Sequence, residues 1–297
     1  MTRRTAPLAT ICVLAAWLAG PDPAVAQDAS GVRVQANVVY GQGRVAAPSV
    51  RDVPLLLDLY QPARRRAGRR PVVVLIHGGG FRMGTRKQPD LVRIAEGLVR
   101  RGLAVASVDY RLSPRSPVPS GRVRRLLAKA PGAPVYRAMV AAVDDTLTAV
   151  SWLRRNAGRL RLDVARLGLV GGSAGAITAD HVAYALDDAG VRGPRVRFVG
   201  DLWGGIFIPA DQRAAAAQLE RGEAQLFAVH GDADRTVPVT FDDALVARAR
   251  AVGVRAEYHR IPGGGHGFAG TGFFTRRVTG GQTPFRRLLA FATRALR

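Results

Sequence analysis

From about residue 33 onward, short apolar or β-branched runs alternate with longer segments whose apolar residues recur at three- and four-residue spacings. Strand side chains alternate between faces and helix side chains return every 3.6 residues. The pattern therefore predicts strands over 34–40, 54–60, 72–77, 103–109, 167–171, 196–203, 226–230 and 255–261. It predicts helices over 89–101, 135–157, 174–188, 241–252 and 284–296. Within 135–157, Val143, Leu147, Val150 and Leu153 make one apolar face. Val72-Val73-Val74-Leu75-Ile76 is apolar without a break, as a central strand buried on both faces requires. The first two strands follow each other with no helix between them, which predicts an antiparallel hairpin at the sheet's edge. The rest is the alternation of an α/β fold, a mostly parallel eight-stranded sheet with helices on both faces. Gly102, Gly158, Gly190 and Gly253 stand where helix C-caps belong.

One stretch departs from the alternation. Residues 113–134 are rich in Pro, Gly and Arg and separate a strand from the next long helix. The segment is too short for a domain. It reads as a surface insertion near the strand ends, where it would wall the active site; the alternative is a plain loop remote from it.

Composition bounds this picture. The chain has 297 residues, 47% hydrophobic and 22% charged, which is globular and long enough for one sizeable core. Its formal net charge is +22, almost all from arginine, with Lys87 and Lys129 the only lysines. Strong basicity raises the question of a nucleic-acid partner. The arginines are spread along the chain, and no aromatic residues interleave with the denser spots at 64–70 and 122–125. The charge reads as a solvated basic surface, with no specific nucleic-acid partner.

At the N-terminus, Arg3 and Arg4 precede an apolar run from Leu8 to Leu18, too short to span a bilayer. Ala24-Val25-Ala26 is a small-x-small cleavage site. These features predict an export signal over 1–26, a single catalytic domain over 27–297, and a periplasmic or extracellular destination. Cys12, the only cysteine, lies inside that signal. The mature chain then has no disulfide, no thiolate metal site and no cysteine nucleophile.

The candidate chemistry lies at strand ends. Gly171-Gly172-Ser173-Ala174-Gly175 fits G-x-S-x-G between an apolar strand and a helical run, the setting of a nucleophile elbow. Small neighbours permit the strained turn that lifts the serine clear of the sheet. His77-Gly78-Gly79-Gly80-Phe81 follows the central strand, and its glycines let backbone N–H groups approach a substrate oxyanion. A third donor is the N–H of Ala174, the residue after the serine. No G-x-x-x-x-G-K-[ST] phosphate loop is present. A hydroxyl needs a base to ionise, and the base needs a carboxylate to orient it. His266, in Gly265-His266-Gly267, offers the base. His230-Gly231-Asp232-Ala233-Asp234 offers two acids, of which either Asp234 orients the base or Asp232 does so, the other capping the turn. His77, His181, His230 and His259 read as structural.

Together with Asp109-Tyr110-Arg111-Leu112-Ser113-Pro114, these motifs resemble the α/β-hydrolase esterase/lipase superfamily, most nearly its hormone-sensitive-lipase-like HGGG carboxylesterases. The resemblance runs from about Val34 to the end and carries five motifs in order. It implies the α/β-hydrolase fold and a serine esterase or lipase acting on small-molecule or polymer-borne esters without a cofactor. It implies Ser173 as nucleophile, Asp234 as acid through the H-G-x-x-D spacing, and His266 as base. It implies Gly79, Gly80 and Ala174 as oxyanion donors, with room for Gly78 to contribute. Tyr110-Arg111-Leu112 matches a motif that is structural in the superfamily. The chain departs from it in lacking a sizeable cap region before the hairpin and in the length of the basic insertion. Amidases and peptidases of the arylformamidase and prolyl-oligopeptidase types share much of the pattern, and a non-catalytic binding protein on this scaffold is the third reading.

Overall fold

The computed structural model describes residues 25–27, 31–64, 67–269 and 272–297. The expected export signal falls outside these residues except at its end, where Val25–Gln27 forms β1. The other strands are β2 (Val32–Val45), β3 (Arg51–Pro62), β4 (Arg70–Ile76), β5 (Ala104–Val108), β6 (Pro117–Val118), β7 (Leu162–Gly172), β8 (Phe198–Leu202), β9 (Gln225–Gly231) and β10 (Ala256–Ile261). The helices are α1 (Pro89–Arg100), α2 (Arg124–Lys129), α3 (Pro134–Arg155), α4 (Ala157–Leu160), α5 (Ala174–Asp180), α6 (Gln212–Ala217), α7 (Thr240–Ala251), α8 (Gly272–Thr275) and α9 (Pro284–Ala295). All eight expected strands are present; β1 and β6 add short edges. The sheet runs β1-β2-β3-β5-β4-β7-β8-β9-β10, with β6 on β2. β5 to β10 along this path pair in parallel, and β2–β3 is the expected antiparallel hairpin.

The central strand shows why this layering is stable. In β4 the residues Val72 to Ile76 are all inaccessible to solvent. Val72, Val74 and Ile76 join the core that holds Val143, Leu147 and Val150 of α3. Val73 and Leu75 join the opposite core, with Leu91, Ile94 and Leu98 of α1 and Leu288 and Phe291 of α9. Strand side chains alternate, so an uninterrupted apolar run needs a helix layer on each face. Pro89, Pro134 and Pro284 each open a helix, where a missing N–H costs nothing. Gly102, Gly190 and Gly253 take the left-handed conformation expected after a helix. Gly158 does not: it lies within α4, and Arg161 makes that turn at φ 54°.

The insertion over 113–134 clasps the antiparallel half of the molecule instead of the strand ends. Ser120 donates from both its N–H and its hydroxyl to Asp144 of α3, at 2.8 Å each, and Arg122 Nε reaches the same carboxylate at 2.6 Å. Val123 and Leu126 are buried in the core against α3, and β6 pairs with β2. Apolar anchors and a shared carboxylate hold the segment down. Its first residue is tied to the glycine loop through Ser113 N–H to Phe81 O at 2.8 Å.

Candidate active site

β7 ends at Gly172, and Ser173 turns the chain into α5 with φ 55° and ψ −122°, a conformation costing about 1–3 kcal/mol in a non-glycine residue. The flanking glycines are steric requirements. A Cβ on Gly171 would lie 2.2 Å from the Gly175 carbonyl carbon, and one on Gly175 would lie 2.0 Å from Ile76 O. The strained turn is held by Ser173 N–H donating to Leu202 O at 2.9 Å. Serine at a helix N-cap usually accepts an N–H from the first turn. Here it makes no capping bond, and its hydroxyl donates to His266 Nε2 at 2.9 Å.

His266 arrives from the loop after β10, and its Nδ1–H donates to Asp234 Oδ2 at 2.7 Å. Asp234 Oδ1 accepts the N–H groups of Thr236 (2.7 Å) and Val237 (3.0 Å). Burial opposes ionisation of Asp234, but the Val237 N–H, His266 and the Thr236 N–H outweigh it and hold the carboxyl below its usual range. An ionised carboxylate only accepts, so His266 carries its proton on Nδ1 and leaves Nε2 free to take one from Ser173. The Asp234 side chain is inaccessible, whereas that of His266 is 27% exposed, so the acid is dry and the base faces the pocket. Asp232 instead accepts the Gly263 N–H at 2.7 Å and ties two turns together.

The glycine loop after β4 faces the serine across the same cavity. Gly79 takes φ 113°, and a Cβ there would collide with Met83 O at 2.1 Å. Its carbonyl accepts from Arg82 and Met83, which closes the loop. Ala174 opens α5, so its N–H is one of those that no intrahelical carbonyl takes. His77 stacks on Tyr110 at 4.2 Å, and the Tyr110 hydroxyl donates to His77 O at 3.0 Å. Both therefore shape the loop from behind. His181 bonds Ile177 O and the Ile208 N–H, and burial pushes its pKa down to about 4. His259 bonds Glu257 within the sheet.

The cavity beside Ser173 has a volume of about 380 Å³. Leu91 and Ile94 of α1, Trp203, Phe273 and Phe274 give it apolar walls, and Gln88, Asp90 and Thr236 give it polar ones. No residue of 113–134 lines it, which corrects the expectation that the insertion walls the site. Among the described residues no group of His, Cys, Asp or Glu is arranged to hold a metal ion. The pattern of the sequence missed Trp203 and the two phenylalanines, because a buried aromatic reads as core wherever it falls. It also missed His230, whose Nε2 lies 3.3 Å from Asp234 Oδ2. Its place four residues before the acid is the one signal that pointed there.

Comparison with known proteins agrees with the fold. A family model described as "alpha/beta hydrolase fold" matches residues 131–230, and the BD-FAE model matches residues 57–122. Carboxylesterase NlhH of Mycobacterium tuberculosis is 33% identical over 128 residues, which is 43% of this chain and 33% of that protein. The chain thus spans a third or less of the length of the curated relatives it matches. Esterase 2 of Thermogutta terrifontis superposes with a TM-score of 0.64 at 23% identity, over 88% of this chain and 92% of that one. A truncated carbohydrate esterase from gut microbiota superposes with a TM-score of 0.61 at 18% identity, over 93% of this chain and 98% of that one.

Proposed function

We propose that the chain is a serine carboxylesterase of the α/β-hydrolase type, working through Ser173, His266 and Asp234. The observation that carries this reading is the unbroken path of hydrogen bonds from Ser173 Oγ through His266 to an ionised Asp234, with the serine at a strained strand–helix turn. Ser173 Oγ attacks the ester carbonyl while His266 Nε2 takes its proton. The N–H groups of Gly79, Gly80 and Ala174 receive the oxyanion. His266 returns the proton to the departing alcohol, and a water molecule, activated in the same way, releases the acid and frees the serine. The carboxylesterase similarity supports ester over amide, and the cavity of about 380 Å³ suits a compact acyl or alcohol group.

The export signal at 1–26 belongs to this proposal and rests on the sequence at Arg3, Arg4, Leu8 to Leu18 and Ala24-Val25-Ala26. Cleavage after Ala26 removes two of the three residues of β1 and leaves β2 as the edge.

Replacing Ser173 with Ala tests the mechanism. Hydrolysis of an aryl acetate is expected to fall by about 10⁶-fold, with folding intact. A variant that retained wild-type turnover, or a wild type that cleaved the matching anilide faster than the ester, would sink the esterase reading.

A further inference from the structure

Behind Asp234 the hydrogen bonds do not stop. His230 Nε2 lies 2.9 Å from Val237 O and 3.3 Å from Asp234 Oδ2. Both are acceptors, so Nε2 carries a proton and donates. His230 Nδ1 lies 2.9 Å from Asp242 Oδ2. Asp242 in turn faces Asp201, and Asp201 faces Asp180. Asp180 Oδ1, Asp201 Oδ2 and Asp242 Oδ1 are buried without a hydrogen-bond partner among the described residues. Two facing carboxylates cannot bond without a proton between them. Asp180, Asp201 and Asp242, buried beside one another with no cation in reach among the described residues, therefore each keep a proton. Three carboxylates and three protons make the string neutral, with the His230 ring protonated at Nε2. Burial holds all three acids well above the usual carboxylate range, with Asp201 adding to it for Asp180 and Asp242 adding to it for Asp201.

The structure assigns His230 as a positioning residue: its Nε2–H shares Asp234 Oδ2 with the Nδ1–H of His266, and the neutral string behind it fixes the ring. Asp234 then accepts three N–H donors, two backbone and one imidazole, with the His230 Nε2–H 3.3 Å from its Oδ2 as a fourth polar contact, and can neither rotate nor bind a proton easily. Losing the His230 donor leaves Asp234 free to hold a proton on His266 more tightly. The groups facing this path are Asp180 of α5, Asp201 of β8, Asp242 and Asp243 of α7, Asp232 of the same turn with the exposed Arg235 beside it, and Asp90 of α1 across the pocket.

The assignment rests on the esterase reading, and its test separates the two. Aryl acetate hydrolysis is measured against pH for wild type, His230→Gln and His230→Asn, per site titrated with a fluorophosphonate. The glutamine amide reaches the place of Nε2 and restores the donor; the asparagine amide reaches only the place of Nδ1. His230→Asn is expected to lose about 10- to 100-fold in kcat, with KM nearly unchanged, the equivalent of one charge-assisted hydrogen bond. The acid limb of its kcat/KM profile is expected to move to higher pH, and His230→Gln is expected to recover both. Equal losses in the two variants with an unmoved acid limb, or no loss in His230→Asn, would overturn the assignment. If His230→Asn does not fold, the histidine ¹⁵N spectrum of the wild type decides: a proton on His230 Nε2 supports the assignment and a bare Nε2 overturns it. A wild type without Ser173-dependent hydrolysis breaks the esterase reading alone, since the ring proton is read without activity.

Discussion

The molecule buries two groups of carboxylates and neutralises them in opposite ways. On the antiparallel side, Asp144 and Asp145 of α3 meet Arg111, whose Nη2 lies 3.1 and 2.7 Å from them, and Arg122 adds a second cation to Asp144. Burial would discharge Arg111, but Asp145 and Asp144 hold it charged. Behind the proposed triad, Asp180, Asp201 and Asp242 have no Lys or Arg in reach among the described residues and are neutralised by shared protons. Cations are not scarce: the chain has 44 Lys and Arg against 22 Asp and Glu. Arginine is used where a long loop must be pinned to a helix, since its planar fork also bonds Arg44 O and Val118 O. The proton-shared string ends at Asp234, whose carboxyl is held below its usual range. A cation at that end would compete with His266 for Asp234.

The largest expected effect is at that end. Asp234→Asn preserves shape, and its amide oxygen still accepts from Thr236 and Val237. Its NH₂ then faces His266 and forces that ring to accept at Nδ1, which puts the proton on Nε2 and removes the base. Turnover of an aryl acetate is expected to fall by about 10⁴-fold with little change in thermal stability. If it fell less than tenfold, Asp234 would not be the orienting acid. The matching change on the other side is Arg111→Met, which strands two buried carboxylates. It is expected to cost about 3–5 kcal/mol, read as a drop of roughly 5–10 °C in Tm, with much smaller effects on kcat in the fraction that remains folded. An unchanged Tm would show that Arg122 and water suffice for Asp144 and Asp145.

The two regions also differ in how far a sequence reveals them. The frame of the site was legible because each part is local. Val72 to Ile76 announces a doubly covered strand, and Gly171 to Gly175 announces a turn that only small residues can make, as the collisions at Gly171 and Gly175 show. The chain order of Ser173, Asp234 and His266 predicted which loops meet, and they do meet. The insertion was misplaced because its anchors, Arg122 to Asp144 and Arg111 to Val118, join segments whose pairing no local pattern encodes. Asp180, Asp201 and Asp242 were invisible for the same reason. Asp180 and Asp201 are single acids in apolar elements, Asp242 is one of two at the start of α7, and only the packing of α5, β8 and α7 brings them together. His230 ends an apolar strand, and a histidine there reads as a satisfied core residue until its two partners are seen.

The smallest effects discriminate most sharply, because they differ in sign with pH. Asp144 is held below the usual carboxylate range: burial opposes this, but Arg122 and the Ser120 bonds outweigh it. Its contribution to stability is present above the unfolded carboxyl value, about 4, and is lost as pH falls through the folded value. Asp201 is held well above that range by burial and by Asp242. Its contribution is present below about 4 and is lost as pH rises through the folded value. Replacing either with Asn removes the titration at that position. Denaturant unfolding across pH is therefore expected to show Asp144→Asn losing ground to wild type as pH rises. Asp201→Asn, whose amide supplies N–H groups to Asp180 and Asp242 at every pH, is expected to gain ground. At pH 5 it should lie within about 1 kcal/mol of wild type, the net worth of one hydrogen bond. Parallel slopes for the two variants would mean that Asp201 is ionised in the folded protein, and that the three protons assigned behind Asp234 are not there.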